Sequence, residues 1–176
     1  GVPGENEFAG LGVSYCATCD GAFYRKRTVA VVGGGDVAVE DAVFLAGICK
    51  KVYLIHRRDQ LRAADSLQKK LFSCENVEVL WNSEVIEILG GEMVESIRVH
   101  NNKSGEQGSL DVEGVFIAVG IVPDTAICTD LVELDEKGYV IADETCVTSE
   151  SGIFAAGDIR KKPMRQIITA VADGAN

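Results

Sequence analysis

The chain has 176 residues, 47% of them hydrophobic, enough to bury the core of one domain or of one and a part. A net charge of −10 and a pI near 4.7 argue against nucleic acid or an anionic membrane as partner. No apolar run approaches the ~20 residues of a membrane span, no signal segment opens the chain, and six cysteines are too dilute for a secreted disulfide scaffold, so a cytoplasmic location is expected.

Residues 1–14, glycine-rich with an early Pro3, read as an entering linker, and a first residue that is Gly1 rather than Met suggests an excised or trimmed piece. Cys16-Ala17-Thr18-Cys19-Asp20-Gly21 follows. Two cysteines separated by two residues close a small disulfide ring and reopen it without large movement. Asp20, adjacent to Cys19, is in sequence reach to exchange a proton with a leaving thiolate. Half a zinc site is the bland reading. It fails because the other cysteines form no second pair and the two histidines lie far off in sequence, so no metal is expected. Cys49, Cys74, Cys128 and Cys146 sit singly in apolar or mixed segments and read as buried free thiols.

Thr28 to Val32 is a short apolar, β-branched run, hence a buried strand. Gly33-Gly34-Gly35-Asp36-Val37-Ala38 then hands strand over to helix. Gly33 and Gly35 fill the positions where a backbone turns tightly and approaches a pyrophosphate, and small Ala38 lets the helix pack on the strand. The free N–H groups of the helix start suit phosphate, and Asp36 reads as the helix cap. Gly47 stops the helix, and Val52 to Ile55 completes a βαβ unit. That second strand ends in His56-Arg57-Arg58, with Arg62 one helical turn on. An NAD site usually places an acid there. Guanidinium forks match a phosphate instead, so the expected cofactor is NADPH and not NADH. His56 either caps the strand or stacks on adenine. Asp59 is expected to cap a third element running to Phe72, and Val77 to Trp81 is a further strand.

Val85 to Leu89, Val94 to Val99 and the segment around Leu110 to Val112 are strands parted by Gly90-Gly91 and by Asn101 to Gly108. They read as a three-stranded antiparallel meander from about residue 84 to 112. It is expected to cover one side of a parallel sheet that has helices on both faces, and Val115 to Val119 returns to that sheet. From about Thr125 the pattern shifts to short hairpin-like pieces around Gly138. Ile153 to Asp158 reads as an apolar strand ending in Gly157-Asp158. Gln166 to Ala172 reads as the start of a helix.

Taken together, CATCDG, GGGDVAVEDA, HRRDQLRA, GVFIAVGIVPDT and GIFAAGDIRKKPMRQIITA resemble the low-molecular-weight, bacterial-type thioredoxin reductases, which are pyridine nucleotide–disulfide oxidoreductases. The resemblance implies electron flow from NADPH to FAD, to a Cys16–Cys19 disulfide and then to thioredoxin. By it, Cys19 faces the flavin, Cys16 attacks the thioredoxin disulfide and Asp20 is the general acid. Arg57, Arg58 and Arg62 match the 2′-phosphate ligands, while Gly157, Asp158, Arg165 and Gln166 match the flavin-contacting segment. The fold implied is α/β, a Rossmann-like parallel sheet with the meander (residues 1–125, NADPH-binding), followed by an incomplete second half of a split FAD domain (residues 126–176). Only one glycine fingerprint is present where the family has two, so this chain alone is not expected to turn over. The intact enzyme is expected to be a homodimer. Two other readings remain: the flavoprotein component of an alkyl hydroperoxide reductase, against which Ala17-Thr18 between the cysteines speaks, and a non-catalytic NADP(H)-binding module.

Overall fold

Runs of Val, Ile and Leu too short for helices build the central layer. β1 (Val13–Ser14), β2 (Thr28–Gly33), β3 (Lys51–His56), β4 (Val77–Trp81) and β8 (Gly114–Ala118) form a parallel sheet in the order β1-β8-β2-β3-β4. Between β4 and β8 lies the antiparallel meander of β5 (Ser83–Gly90), β6 (Val94–Asn101) and β7 (Gln107–Asp111). The computed structural model describes residues 1–176, which divide into two units, Gly1–Val119 and Gly120–Asn176.

Period-two alternation sorts the first unit's side chains to two faces. Val29 and Val31 of β2, Val52 and Leu54 of β3 and Phe116 of β8 meet α2 (Asp36–Ala46) through its buried Ala38, Val39, Ala42 and Leu45. Leu71 of α3 (Asp65–Phe72) and Ala17 of the short α1 (Ala17–Asp20) join the same cluster. Ala30, Ile55 and Val115 face the other way, onto Val85 and Ile88 of β5 and Val94 and Ile97 of β6. The helices therefore occupy one face of the sheet and the meander the other, which corrects the expectation of helices on both. A sheet can bury its second face against either kind of layer, and the apolar residues of β5 and β6 supply it here.

Three other local readings give way to tertiary contacts. Residues 1–14 are no linker. Phe8 is buried against the meander, Val13 begins β1, and a Cβ at Gly4 or Gly12 would overlap Ile88 or Val94. α2 is capped by the backbone of Gly35 with no side-chain bond, so Asp36 is its first residue and not its cap. α3 starts at Asp65, not near Asp59, because residues 57–64 are held as an irregular loop against the glycine turn.

In the second unit Val132, Val140 and Ala155 form a small core. Ile153 to Asp158 makes a single antiparallel bridge, Val147 to Phe154, and then a 3-10 turn over Gly157–Ile159, so no strand forms there. Gly157 has φ +83, in the left-handed region, which ends any extended run. α4 (Ile167–Gly174) does form, opened by a capping box between Gln166 and Thr169. Cys49 and Cys146 are buried and Cys74 and Cys128 only half-buried. No helix is long and apolar enough to cross a membrane.

Asp41, half-buried on α2, has its carboxyl pushed up from 3.8 to about 6 by burial and then by the charge of Glu40. Its folded-state value lies above its unfolded one, so its contribution to stability is lost as pH rises through about 6. Asp41→Asn is expected to raise stability at pH 7 by roughly 1 kcal/mol, a figure kept small because solvent screens the group, and to leave it unchanged near pH 4. Urea unfolding at the two pH values checks this.

Candidate functional site

The carboxyl ends of β2, β3 and β8 open into a cleft of about 400 Å³, where ligands of parallel α/β sheets are generally held. Gly33, Gly34, His56, Arg57, Arg62 and Ala118 line it, with Ser83, Glu84 and Val85 from the start of the meander. At Gly33 a Cβ would collide with the Ala118 carbonyl and the Ala38 methyl, so strand, helix and neighbouring strand meet where that residue has no side chain. At Gly34 a Cβ would overlap the His56 ring. At Gly35 a Cβ would meet nothing within 4 Å, which leaves open space over the start of α2, where no side chain caps the helix. That combination fits the approach of a phosphate.

His56 neither caps β3 by its side chain nor offers a free face for stacking. Its ring is 5% exposed, lies under Gly34, donates from Nε2 to the Gln60 carbonyl (2.9 Å) and stands edge-on to Trp81. Arg57 and Arg62 bring two cations to the cleft of a strongly acidic chain. Arg58 is exposed beside them but outside the lining, and its carbonyl accepts from Asn82 N–H. Ala38 is fully buried behind the cleft, and the Asp36 carboxylate turns to the backbone N–H of Ala64 (2.8 Å).

Cys16 and Cys19 form a disulfide. Cys16 stands at the N-cap of α1, where its sulfur accepts from Cys19 N–H (3.3 Å); Cys19 is exposed and Cys16 half-buried. Asp20 is held by Ser14, a buried residue that sequence reasoning did not single out. Ser14 Oγ donates to Asp20 Oδ2 (2.7 Å) and accepts from Cys16 N–H (3.1 Å), tying the acid and the dithiol to the end of β1. Nothing in the spacing of a lone serine announces this. Asp20 also borders a hollow of about 410 Å³ with Phe23, Tyr24 and Arg27. The Tyr24 hydroxyl is pushed above its usual range, by burial and then by the Asp20 charge. The disulfide residues do not line the arginine cleft; the two are separate features of one unit.

In the second unit Gly157 N–H donates to Asp173 Oδ2 (2.9 Å) and Asp158 is exposed. Arg165 lies over the Tyr139 ring at 3.9 Å, with its Nε buried and without a partner. Gln166 caps α4. Behind this segment Arg160, 3% exposed, donates to Asp173 Oδ1 (3.0 Å) and to the Asp143 carbonyl (2.6 Å), while Lys162 Nζ reaches Asp173 Oδ2 (2.7 Å). Hydrogen bonds from Lys162 and then Arg160 hold the Asp173 carboxyl well below the ordinary carboxylate range. This network too lay outside the sequence reading, since its members are spread over residues 143–173 with no periodic signal.

A parallel α/β unit with a glycine-turn cleft and a separate two-residue-spaced disulfide defines a nucleotide-type fold equipped for thiol–disulfide exchange. The family model described as pyridine nucleotide-disulphide oxidoreductase matches residues 1–174, and the chain belongs to that family. It is 49% identical over 175 residues to a protein named thioredoxin reductase from Listeria innocua and 46% identical to one of the same name from Bacillus subtilis. Each match covers 99% of this chain and 55% of the relative, so the chain spans about half the length of the curated relatives it matches. The crystal structure of thioredoxin reductase from Streptococcus pyogenes superposes with a TM-score of 0.91 at 49% identity, covering 99% of this chain and 57% of that one.

Thiol titration of the unfolded chain checks the sulfur inventory. Without reductant four thiols are expected to react, and after reduction six, the two gained belonging to Cys16 and Cys19. A count of six before reduction contradicts the disulfide.

Proposed function

We propose that this chain serves the NADPH-dependent reduction of thioredoxin disulfide. Residues 1–119 would be its NADPH-binding, dithiol-bearing part and residues 120–176 the C-terminal part of an FAD-binding domain. One observation carries the reading: an accessible disulfide belongs to the same unit as a cleft rimmed by two arginines. The relatives' names supply thioredoxin as the oxidant. A cytoplasmic location and a homodimeric intact enzyme are part of the proposal by the same analogy.

The residues present fit NADPH and one part of an FAD site. NADPH would meet Gly33 to Gly35 and the start of α2 with its pyrophosphate, and Arg57 and Arg62, with Arg58 beside them, through its 2′-phosphate. The segment from Gly157 to Gln166 keeps a buried donor without acceptor, Arg165 Nε, which would be free to meet a polar atom of FAD. Bound FAD would supply the two-electron carrier that a nicotinamide and a disulfide in separate places need. The protein's own chemistry is then thiol exchange. The Cys16 thiolate, favoured by Cys19 N–H, attacks one sulfur of the thioredoxin disulfide; a mixed disulfide forms and one thioredoxin sulfur leaves as thiolate. The Cys19 thiolate then attacks Cys16 sulfur, closing the Cys16–Cys19 bond and releasing the second thioredoxin sulfur. Two electrons pass from the dithiol to thioredoxin, and Asp20, oriented by Ser14, gives a proton to a departing thiolate.

Two measurements test this. Charge-assisted bonds contribute roughly 1.5–3 kcal/mol each, so Arg57→Ala with Arg62→Ala is expected to lower NADPH affinity at least about a hundredfold and NADH affinity little, by calorimetry. The unaltered chain binding both nucleotides equally overturns the cofactor assignment. With Cys19→Ser, Cys16 is expected to trap oxidised thioredoxin as a stable mixed disulfide, which Cys16→Ser cannot form. Equal trapping by both variants overturns the assigned order of attack.

A further inference from the structure

Between β3 and α3 the chain runs from Arg57 to Ala64 with neither helix nor strand, although it carries both arginines of the cleft. Besides Asn82 N–H on the Arg58 carbonyl and Gln68 Nε2 on the Ala63 carbonyl, three hydrogen bonds bear on its place at the cleft: the His56 ring to the Gln60 carbonyl (2.9 Å), Arg62 N–H to the Gly34 carbonyl (2.7 Å), and Ala64 N–H to Asp36 Oδ1 (2.8 Å). The second runs backbone to backbone and asks nothing of sequence. The first stays within the loop and its strand. Only the third fastens the far end of the loop to the glycine turn through a chosen side chain, and it joins residues 28 apart in the chain.

An exposed carboxylate as the first residue of α2 suits the helix dipole, but it sits where the nucleotide's phosphates would approach and would repel them. Engaged with Ala64 N–H, it has a different use. A loop already fixed loses less conformational freedom when its guanidinium groups close on a phosphate, and preorganisation of this kind appears as affinity for the group gripped. The backbone bond at Arg62 fixes the loop on one side of that residue, and the Asp36 bond fixes it two residues beyond.

We infer that Asp36 is a positioning residue for nucleotide selectivity: it does not hold the nucleotide, but fixes the arginine loop and so sets the preference for a 2′-phosphate over a 2′-hydroxyl. The inference rests on the NADPH reading above, and the test separates the two. In the 176-residue chain, Asp36→Ala and Asp36→Asn are titrated calorimetrically with NADPH and with NADH, and exchange of the Ala64 amide hydrogen is followed by NMR. Asp36→Ala is expected to lower the ratio of NADPH to NADH affinity about fivefold, the scale of one lost hydrogen bond, with faster exchange at Ala64. Asp36→Asn keeps an acceptor oxygen for Ala64 N–H and is expected to restore most of the ratio. An unchanged ratio in Asp36→Ala, or affinities for both nucleotides shifted equally, overturns the inference, since a charge acting on the shared pyrophosphate does not discriminate. A ratio in Asp36→Asn as low as in Asp36→Ala also overturns it. An unaltered chain without preference for NADPH overturns the NADPH reading itself, and the inference with it.

Discussion

Everything in the cleft depends on the absence of one side chain. At Gly33, β2 ends with the Ala118 carbonyl on one side and the Ala38 methyl on the other, both where a Cβ would have to stand. Because they can come that close, β8 lies in register beside β2 up to the pair Gly33 and Ala118. For the same reason α2 starts directly over the sheet. The cleft is the space left where those two ends diverge, and its floor is therefore set by backbone that cannot relax around a larger residue. A side chain added at Gly33 would separate helix from strand before it touched any ligand, so its loss of binding would follow from a loss of packing.

Once the turn is fixed, electrostatics decides what the cleft accepts. A chain of net charge −10 repels a polyanion at long range. Attraction has to come from nearby groups acting at contact distance, where salt screens them less than it screens distant charges. Arg57 and Arg62 supply it, against the single carboxylate of Glu84 in the lining. Their value depends on where the loop holds them, which is why its ties to Gly34 and Asp36 count for more than the number of cations. For the proposed nucleotide, the acidic remainder of the surface would offer the phosphates few other places to settle.

Much of this was legible in the sequence, and the failures share a physical cause. β4 runs from Val77 to Trp81, as its apolar run indicates, and the meander falls within about a residue of its predicted limits. Such segments are specified by their own pattern of buried positions. Asp36 and Asp59 were misjudged because helix-cap signals are local, whereas the Asp36 carboxylate has a better partner in Ala64 N–H, 28 residues away. The opening glycines resembled a linker because sequence shows their freedom and not the reason for it: Gly4 and Gly12 are small so that the chain can lie against Ile88 and Val94. Ser14 was missed for a similar reason. Its importance comes from two hydrogen bonds, to Asp20 and from Cys16, that exist only once β1 has ended and α1 has turned back.

The second unit shows the same dependence in charged form. Asp173 lies in the last turn of α4, where a carboxylate meets the negative end of the helix dipole and ought to destabilise it. It is tolerated because Arg160 and Lys162 reach it from a different stretch of chain, and because its remaining oxygen capacity takes Gly157 N–H. A buried pair of this kind is weak evidence for net stability, since desolvation offsets most of the attraction. Its effect is to make one arrangement of Gly157, Arg160 and α4 much better than any other, because each alternative strands a charge away from water. The depressed carboxyl of Asp173 gives that arrangement a direction in pH: its contribution is present above the ordinary carboxylate range and is lost as pH falls through the lowered folded-state value. Hydrogen-bonded charge thus fixes the left-handed turn at Gly157 from behind, while Asp158 beside it stays exposed and Arg165 keeps an unpaired donor.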